Sequence, residues 1–207
     1  MSITTAVAHL ATKIDLARLV VVTDLDNTVQ KYNAQLARRE FEATGRRVPE
    51  SCPDYSFVVS QWFDTTEAFL NAHVREVRNG MFATMDAYDG AREVLSALRA
   101  HGATVKVATY RFIAGDEGLV RETTIAGLAR NGIEYDELHF VRNKYEVPGD
   151  VYIDDAPYVI EALDERGLDR IVFDQEYNRH FTGPRARSWV QVPTLLGSIM
   201  SARLVVA

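Results

Sequence analysis

The chain has 207 residues, with 23 Lys and Arg against 29 Asp and Glu, and carries a formal net charge of −6 at pH 7. An acidic chain offers no bulk attraction to a polyanion, so long nucleic acid is excluded as a partner and any phosphate must be held by local groups. At 47% hydrophobic and 25% charged, with 12 Gly, 6 Pro and the single cysteine Cys52, it is an ordinary globular protein able to bury a sizeable core, without internal disulfides or a Cys-based zinc site.

In chain order, the first 18 residues lack a basic leader followed by an apolar block and hold Lys13 and Asp15 where a signal core would lie, which predicts a cytoplasmic protein. Leu19 to Thr23 reads as a buried strand and runs directly into Asp24-Leu25-Asp26-Asn27-Thr28. Residues 24 to 103 then separate it from the next strand, Thr104 to Ala108, too far for one crossover helix. The excess reads as a helical insertion with segments at Tyr32 to Ala43 and Thr65 to Arg78, and a break at Gly45 to Pro53. A helix follows over Asp89 to His101, with Asp89 as its cap, Ala91, Val94, Leu95 and Leu98 on one face and Gly102 at its end.

After Thr104 to Ala108 come Thr109, Tyr110 and Arg111. Ile125, Leu128 and Ala129 before Gly132 suggest a further helix, and Glu137 to Val141 a strand. Lys144 lies in the connection to the strand Val151 to Ile153, which ends in Asp154-Asp155. A helix over Pro157 to Arg166 and the strand Arg170 to Phe173 complete the alternation, and Trp189 is expected to pack the C-terminal segment onto the sheet. The uncharged stretch Ser188 to Ala202 is too short and polar for the ~20 apolar residues of a membrane span. Alternating strands and helices predict an α/β fold, a central parallel sheet with helices on both faces. The core takes residues 1–30 and 86–207, with a small helical cap over residues 31–85.

Reactive groups of such sheets gather at the carboxyl ends of the strands, where Asp24, Asp26, Asp154 and Asp155 all fall. Taken separately, Asp26-Asn27 could be a self-bonded turn and Asp154-Asp155 a helix cap. Together they make a cluster in which carboxylates ~5 Å apart repel by roughly 3 kcal/mol at an effective dielectric of ~20, so it needs protons or a cation. All-oxygen ligands favour a hard ion, and Mg²⁺, which bridges phosphate oxygens, is the best match. Thr109 and Lys144, each after a strand of the same sheet, would complete a phosphate site. The five histidines, His9, His73, His101, His139 and His180, show no metal-ligand spacing and read as surface or core, and no serine-hydrolase, dinucleotide or P-loop motif occurs.

The order Asp24-x-Asp26-x-Thr28, Thr109, Lys144, Asp154-Asp155 resembles the four motifs of the haloacid dehalogenase superfamily of phosphohydrolases, from about Val20 to Phe173. Asn143-Lys144 to Asp155, Val159 to Leu163, and Val172 to Arg179 narrow the resemblance to the 5′(3′)-deoxyribonucleotidase family. The resemblance implies that Asp24 is the nucleophile, forming an aspartyl-phosphate, and that Asp26 is the acid and base. Thr109 and Lys144 would hold the phosphoryl group, and Asp24, Asp26 (through its backbone carbonyl), Asp154 and Asp155 would form the Mg²⁺ site. Thr28, Tyr110 and Arg111 are expected at the substrate, and Tyr32, Phe41, Tyr55, Phe57, Trp62 and Phe63 could give the cap aromatics for a base. The substrate is then a small phosphate ester, a nucleotide by resemblance. Neither membrane nor long nucleic acid is a partner, and a homodimer is allowed. A phosphatase for another small ester and a non-catalytic Mg²⁺ and phosphate-binding module stand as alternatives.

Overall fold

A computed structural model describes residues 3–48, 51–56, 62–112 and 115–206. Six strands, β1 (Val20–Thr23), β2 (Thr104–Thr109), β3 (Glu137–Phe140), β4 (Val151–Asp154), β5 (Arg170–Phe173) and β6 (Arg185–Ala186), form one sheet in the order β3-β2-β1-β4-β5-β6. Every neighbouring pair is parallel, and the central strand is held on both sides, Val21 standing opposite Val105 and Val151. The near-continuous apolar runs follow from burial on both faces. Val21, Val105, Val107, Ile153 and Ile171 enter one core layer, whereas Val22, Ala108 and Tyr152 enter the other, as the two-residue side-chain period of a strand requires. The chain reverses its direction of strand addition between β1 and β4, which opens a crevice at their carboxyl ends.

The first layer is covered by α1 (Ile3–Ala11), α5 (Ala91–Ala100) and α8 (Val192–Val206), with α1 against both other helices. Ala6, Val7 and Leu10 of α1 share one buried face. Pro193 stands at the second position of α8, inside the first turn, where its missing N–H is tolerated. On the other face, α7 (Pro157–Glu165) begins with its proline at the start of the helix and buries Val159 and Leu163. Trp189 is fully buried as expected, stacking near Phe173 and donating from Nε1 to the carbonyl of Thr28 at 2.8 Å. One expectation fails: α5 starts behind Gly90 (φ 84°) without a side-chain cap, and Asp89 faces solvent, 3.3 Å from Lys31. The left-handed turn at Gly90 directs the Asp89 side chain away from the helix end.

Between β1 and α5 the chain makes an excursion whose regular elements among the described residues are helices, α2 (Tyr32–Thr44), α3 (Thr66–Arg78) and α4 (Met81–Thr84). Thr65 caps α3, its hydroxyl accepting from the Ala68 N–H at 3.1 Å. Leu36, Trp62, Phe63, Val77, Met81, Phe82 and Met85 form a second core with Val120 of α6 (Glu117–Arg130). The contact of α6 with α4 is so close that a Cβ on Gly127 would lie 2.1 Å from the Phe82 carbonyl oxygen.

Candidate active site

At the end of β1 the ladder continues one residue further, the Asp24 N–H donating to the Ile153 carbonyl at 3.0 Å. This bond sets Asp24 beside the end of β4, where Asp154 and Asp155 follow. Lys144, from the single turn Lys144–Glu146, is buried between them, its Nζ 2.7 Å from Asp24 Oδ1 and 2.9 Å from Asp154 Oδ2. Oxygens of Asp24, Asp154 and Asp155 all lie within 4.8 Å of one another. Burial pushes the Asp24 carboxyl well above the usual carboxylate range; Lys144 opposes this and Asp154, Asp155 and Asp26 reinforce it. Burial works against the charge on Lys144, but Asp154 and Asp24 outweigh it and hold the ammonium well above its ordinary range. Asp155 is pushed up to about 7, by burial first and by Asp154 second, against Lys144 and the hydroxyls of Tyr177 and Thr28.

Three buried carboxylates facing one ammonium leave a surplus of negative charge that a cation would relieve. The donors are all oxygen, which suits a hard divalent ion. The cluster therefore fits a metal ion. Its surroundings are ordered by hydroxyls and amides. Thr28 Oγ1 donates to Asp155 Oδ1 at 2.7 Å, the Tyr177 hydroxyl donates to Asp155 Oδ2, and Asn178 Nδ2 reaches the Asp155 carbonyl at 2.9 Å. Asp154 Oδ1 accepts the Ala156 N–H at 3.0 Å, so Asp154 serves the start of α7 and the cluster together. The loop after β1 turns at Asn27 (φ 59°), whose side chain binds Asn33 and Tyr177. Asn tolerates this left-handed conformation better than most residues.

Beside the cluster lies a cavity of about 320 Å³ lined by Asp24, Asp26, Thr109, Lys144, Tyr55 and His73, among others. The Thr109 hydroxyl is buried and has no hydrogen-bond partner among the described residues. Buried hydroxyls are rarely left so, and this residue lines the cavity. Asp26 also lines the cavity, but its carboxylate is gripped by the Arg111 fork, Nε to Oδ2 at 3.0 Å and Nη2 to Oδ1 at 2.6 Å.

Asp24, Thr109, Lys144, Asp154 and Asp155 thus converge in one place. The Asp26 side chain stands apart from the carboxylate cluster. Of Thr28 and Arg111, both expected at the substrate, Arg111 lines the cavity and Thr28 does not. Thr28 is fully buried and occupied by Asp155, and the Arg111 guanidinium is spent on Asp26, Gln30 and Thr124. Tyr110 is partly exposed at the cavity wall. Of the cap aromatics, Tyr32 and Tyr55 line the cavity, Trp62 and Phe63 belong to the second core, and Phe41 faces solvent under Arg47. Phe57 lies outside the described residues. His73, read as surface or core, lines the cavity with Nδ1 2.7 Å from the Tyr32 hydroxyl, and burial lowers its pKa. Tyr158 and Tyr177 were not anticipated as site residues either.

Solved structures of the same architecture are similar over nearly their whole length. Protein tyrosine kinase A of Mycobacterium tuberculosis superposes with a TM-score of 0.62 at 18% identity, covering 86% of this chain and 98% of its own. A HAD-superfamily hydrolase, subfamily IA, of Geobacter sulfurreducens does so with 0.51 at 16% identity, covering 87% and 97%. The fold is that of the haloacid dehalogenase superfamily. A protein of Chlorobaculum tepidum described as a candidate 5′(3′)-deoxyribonucleotidase is 29% identical over 186 residues, 88% of this chain and 92% of its own. The chain belongs to the family described as 5′ nucleotidase, deoxy (pyrimidine), cytosolic type C, whose model matches residues 18–205. It is an enzyme of the phosphatase and nucleotidase class. No helix among the described residues is long and apolar enough to cross a membrane.

Proposed function

We propose that the protein is a Mg²⁺-dependent phosphomonoesterase acting through an aspartyl-phosphate on Asp24, with a 5′ or 3′ (deoxy)nucleotide as substrate. The observation that carries this reading is the convergence of Asp24, Asp154 and Asp155 on Lys144 beside the unpartnered Thr109 hydroxyl. Asp24 attacks phosphorus in line while Asp26 protonates the leaving alkoxide; Asp26 then takes a proton from the water that breaks the Asp24–phosphorus linkage. Thr109 and Lys144 hold the phosphoryl oxygens, and their donors are already in place before charge develops. Asp24, Asp154 and the Asp26 carbonyl would hold the Mg²⁺, with Asp155 behind them. When bound, the ion supplies charge to the phosphoryl oxygens.

Residues 31–85 act as a cap that excludes water over the leaving group, and Tyr55, Tyr110 and Tyr158 at the rim offer ring faces to a base. The family name and the acidic composition agree with a cytosolic enzyme. The test is release of inorganic phosphate from a panel of deoxynucleotides and sugar phosphates. Wild-type protein should turn over nucleotides with Mg²⁺ and stop with EDTA, and Asp24→Asn should lose at least about 10³-fold. Undiminished turnover by Asp24→Asn removes the nucleophile, metal-independent turnover removes the cation, and preference for sugar phosphates assigns the cap another substrate.

A further inference from the structure

We propose that Arg111 is a positioning residue that fixes the Asp26 carboxylate for its proton transfers; this role rests on the phosphatase reading above. Arg111 is 1% exposed, and a guanidinium so deep is tolerated only when its donors are matched. They are matched from four sides. Nε and Nη2 fork onto the two oxygens of Asp26, Nη2 also reaches Gln30 Oε1 at 2.8 Å, Nη1 reaches Thr124 Oγ1 at 3.1 Å, and the Phe82 ring lies 4.2 Å from Cζ. The clamp therefore spans the loop after β1, α4 and α6, so the guanidinium cannot swing without breaking contacts to all three.

Both residues line the cavity, but they differ in access: the Arg111 side chain has no exposed surface, whereas that of Asp26 is 25% exposed. The carboxylate is the accessible member of the pair. A guanidinium has donors alone, and a planar fork holds both carboxylate oxygens in one plane, leaving their outward lone pairs toward the cleft. This is the form that Asp26 needs when water attacks the phosphoryl group. One O–H proton of the water passes to Asp26, the water oxygen bonds to phosphorus, the phosphorus–oxygen bond to Asp24 breaks, and Asp24 recovers its carboxylate as inorganic phosphate leaves. In the next cycle that proton goes to the leaving alkoxide, so atoms and charge balance over the pair of steps. A carboxylate free to rotate would meet the water in the required geometry only part of the time, and misplacement on the scale of 1 Å costs about 10²-fold in rate.

Arg111→Lys keeps the charge and removes the fork. With a deoxynucleotide as substrate and Mg²⁺ present, kcat should fall roughly 10- to 100-fold while KM stays within about twofold. Rapid-quench assays with p-nitrophenyl phosphate should show a burst of p-nitrophenol, with acid-stable phosphate left on the protein, because loss of the base slows the second step. In an Asp26→Asn background the same substitution should change kcat by less than about twofold, since residues acting as a unit are non-additive. Thr124→Val, which releases Nη1 and leaves the ion pair, repeats the experiment more gently should Arg111→Lys fail to fold. A raised KM with unchanged kcat would make Arg111 a substrate ligand. An equal loss in the Asp26→Asn background, or unchanged kcat in both variants, would also overturn the role. Failure of the wild-type protein to hydrolyse any phosphate ester would instead remove the phosphatase reading.

Discussion

Asp155 shows how single side chains set the character of the cluster. Its two oxygens are taken by the hydroxyls of Thr28 and Tyr177, so its orientation is set by the protein's own side chains. Partners of this kind typically carry about 10- to 100-fold in metal affinity. Tyr177→Phe should therefore raise the Mg²⁺ concentration for half-maximal turnover by about tenfold, measured by metal titration of the purified variant. The aspartates themselves were legible from the sequence, because apolar strands that end abruptly in acid announce a reactive crevice. Tyr177 and the Arg111 clamp were not: nothing near Asp26 in the chain says that its partner lies 85 positions away. The bond from the Thr28 hydroxyl to Asp155 was not legible either, because proximity in sequence to Asp24 and Asp26 does not reveal on which side of the turn at Asn27 that hydroxyl falls.

At the level of elements, five of the strands were readable within a residue or so at their ends; β1, β4 and β5 are buried parallel strands with nearly continuous apolar runs, whereas β3 is a partly exposed edge strand. The sixth, Arg185–Ala186, has two residues, too few for any periodicity. It is held instead by the Arg185 side chain on Asp174 and Asn178. The helices α1 and α8 went unread as well. The buried face of α1 is only Ala6, Val7 and Leu10, and Pro193 and Gly197 in α8 look like breaks until the helix start is known. Packing between elements gives two sharp expectations. Gly127→Ala places a methyl on the Phe82 carbonyl and should destabilise by about 1–3 kcal/mol, read from urea denaturation. Trp189→Ala empties a buried volume and frees the Thr28 carbonyl; it should destabilise by about 3–5 kcal/mol, measured in the same way.

For the molecule as a whole, the crowded carboxylates link stability to pH and to metal. A carboxyl raised from its ordinary value of 3.8 to about 7 in the folded chain, as Asp155 is, binds its proton more tightly there than in the unfolded chain. Its contribution is thus full below about pH 4 and is lost as pH rises through about 7. Metal-free protein should lose stability over that range, and Mg²⁺ should raise the melting temperature more at pH 8 than at pH 5. Saturation at about 100 times the dissociation constant is worth about 2.7 kcal/mol. Thermal unfolding with and without Mg²⁺ at the two pH values checks both signs, and an equal response at both would break the link between the ion and these carboxylates.

The central place of β1 carries a consequence for biosynthesis. Its neighbours, β2 and β4, begin at Thr104 and Val151, so β1 gains its first partner only about half-way along the 207 residues and its second only after β4 has been made. Late pairing of this sort exposes Val20 to Val22 to sticky intermolecular contact during translation. It also means that a nascent chain arrested before Asp154 has emerged has not yet brought Asp24, Asp154 and Asp155 together.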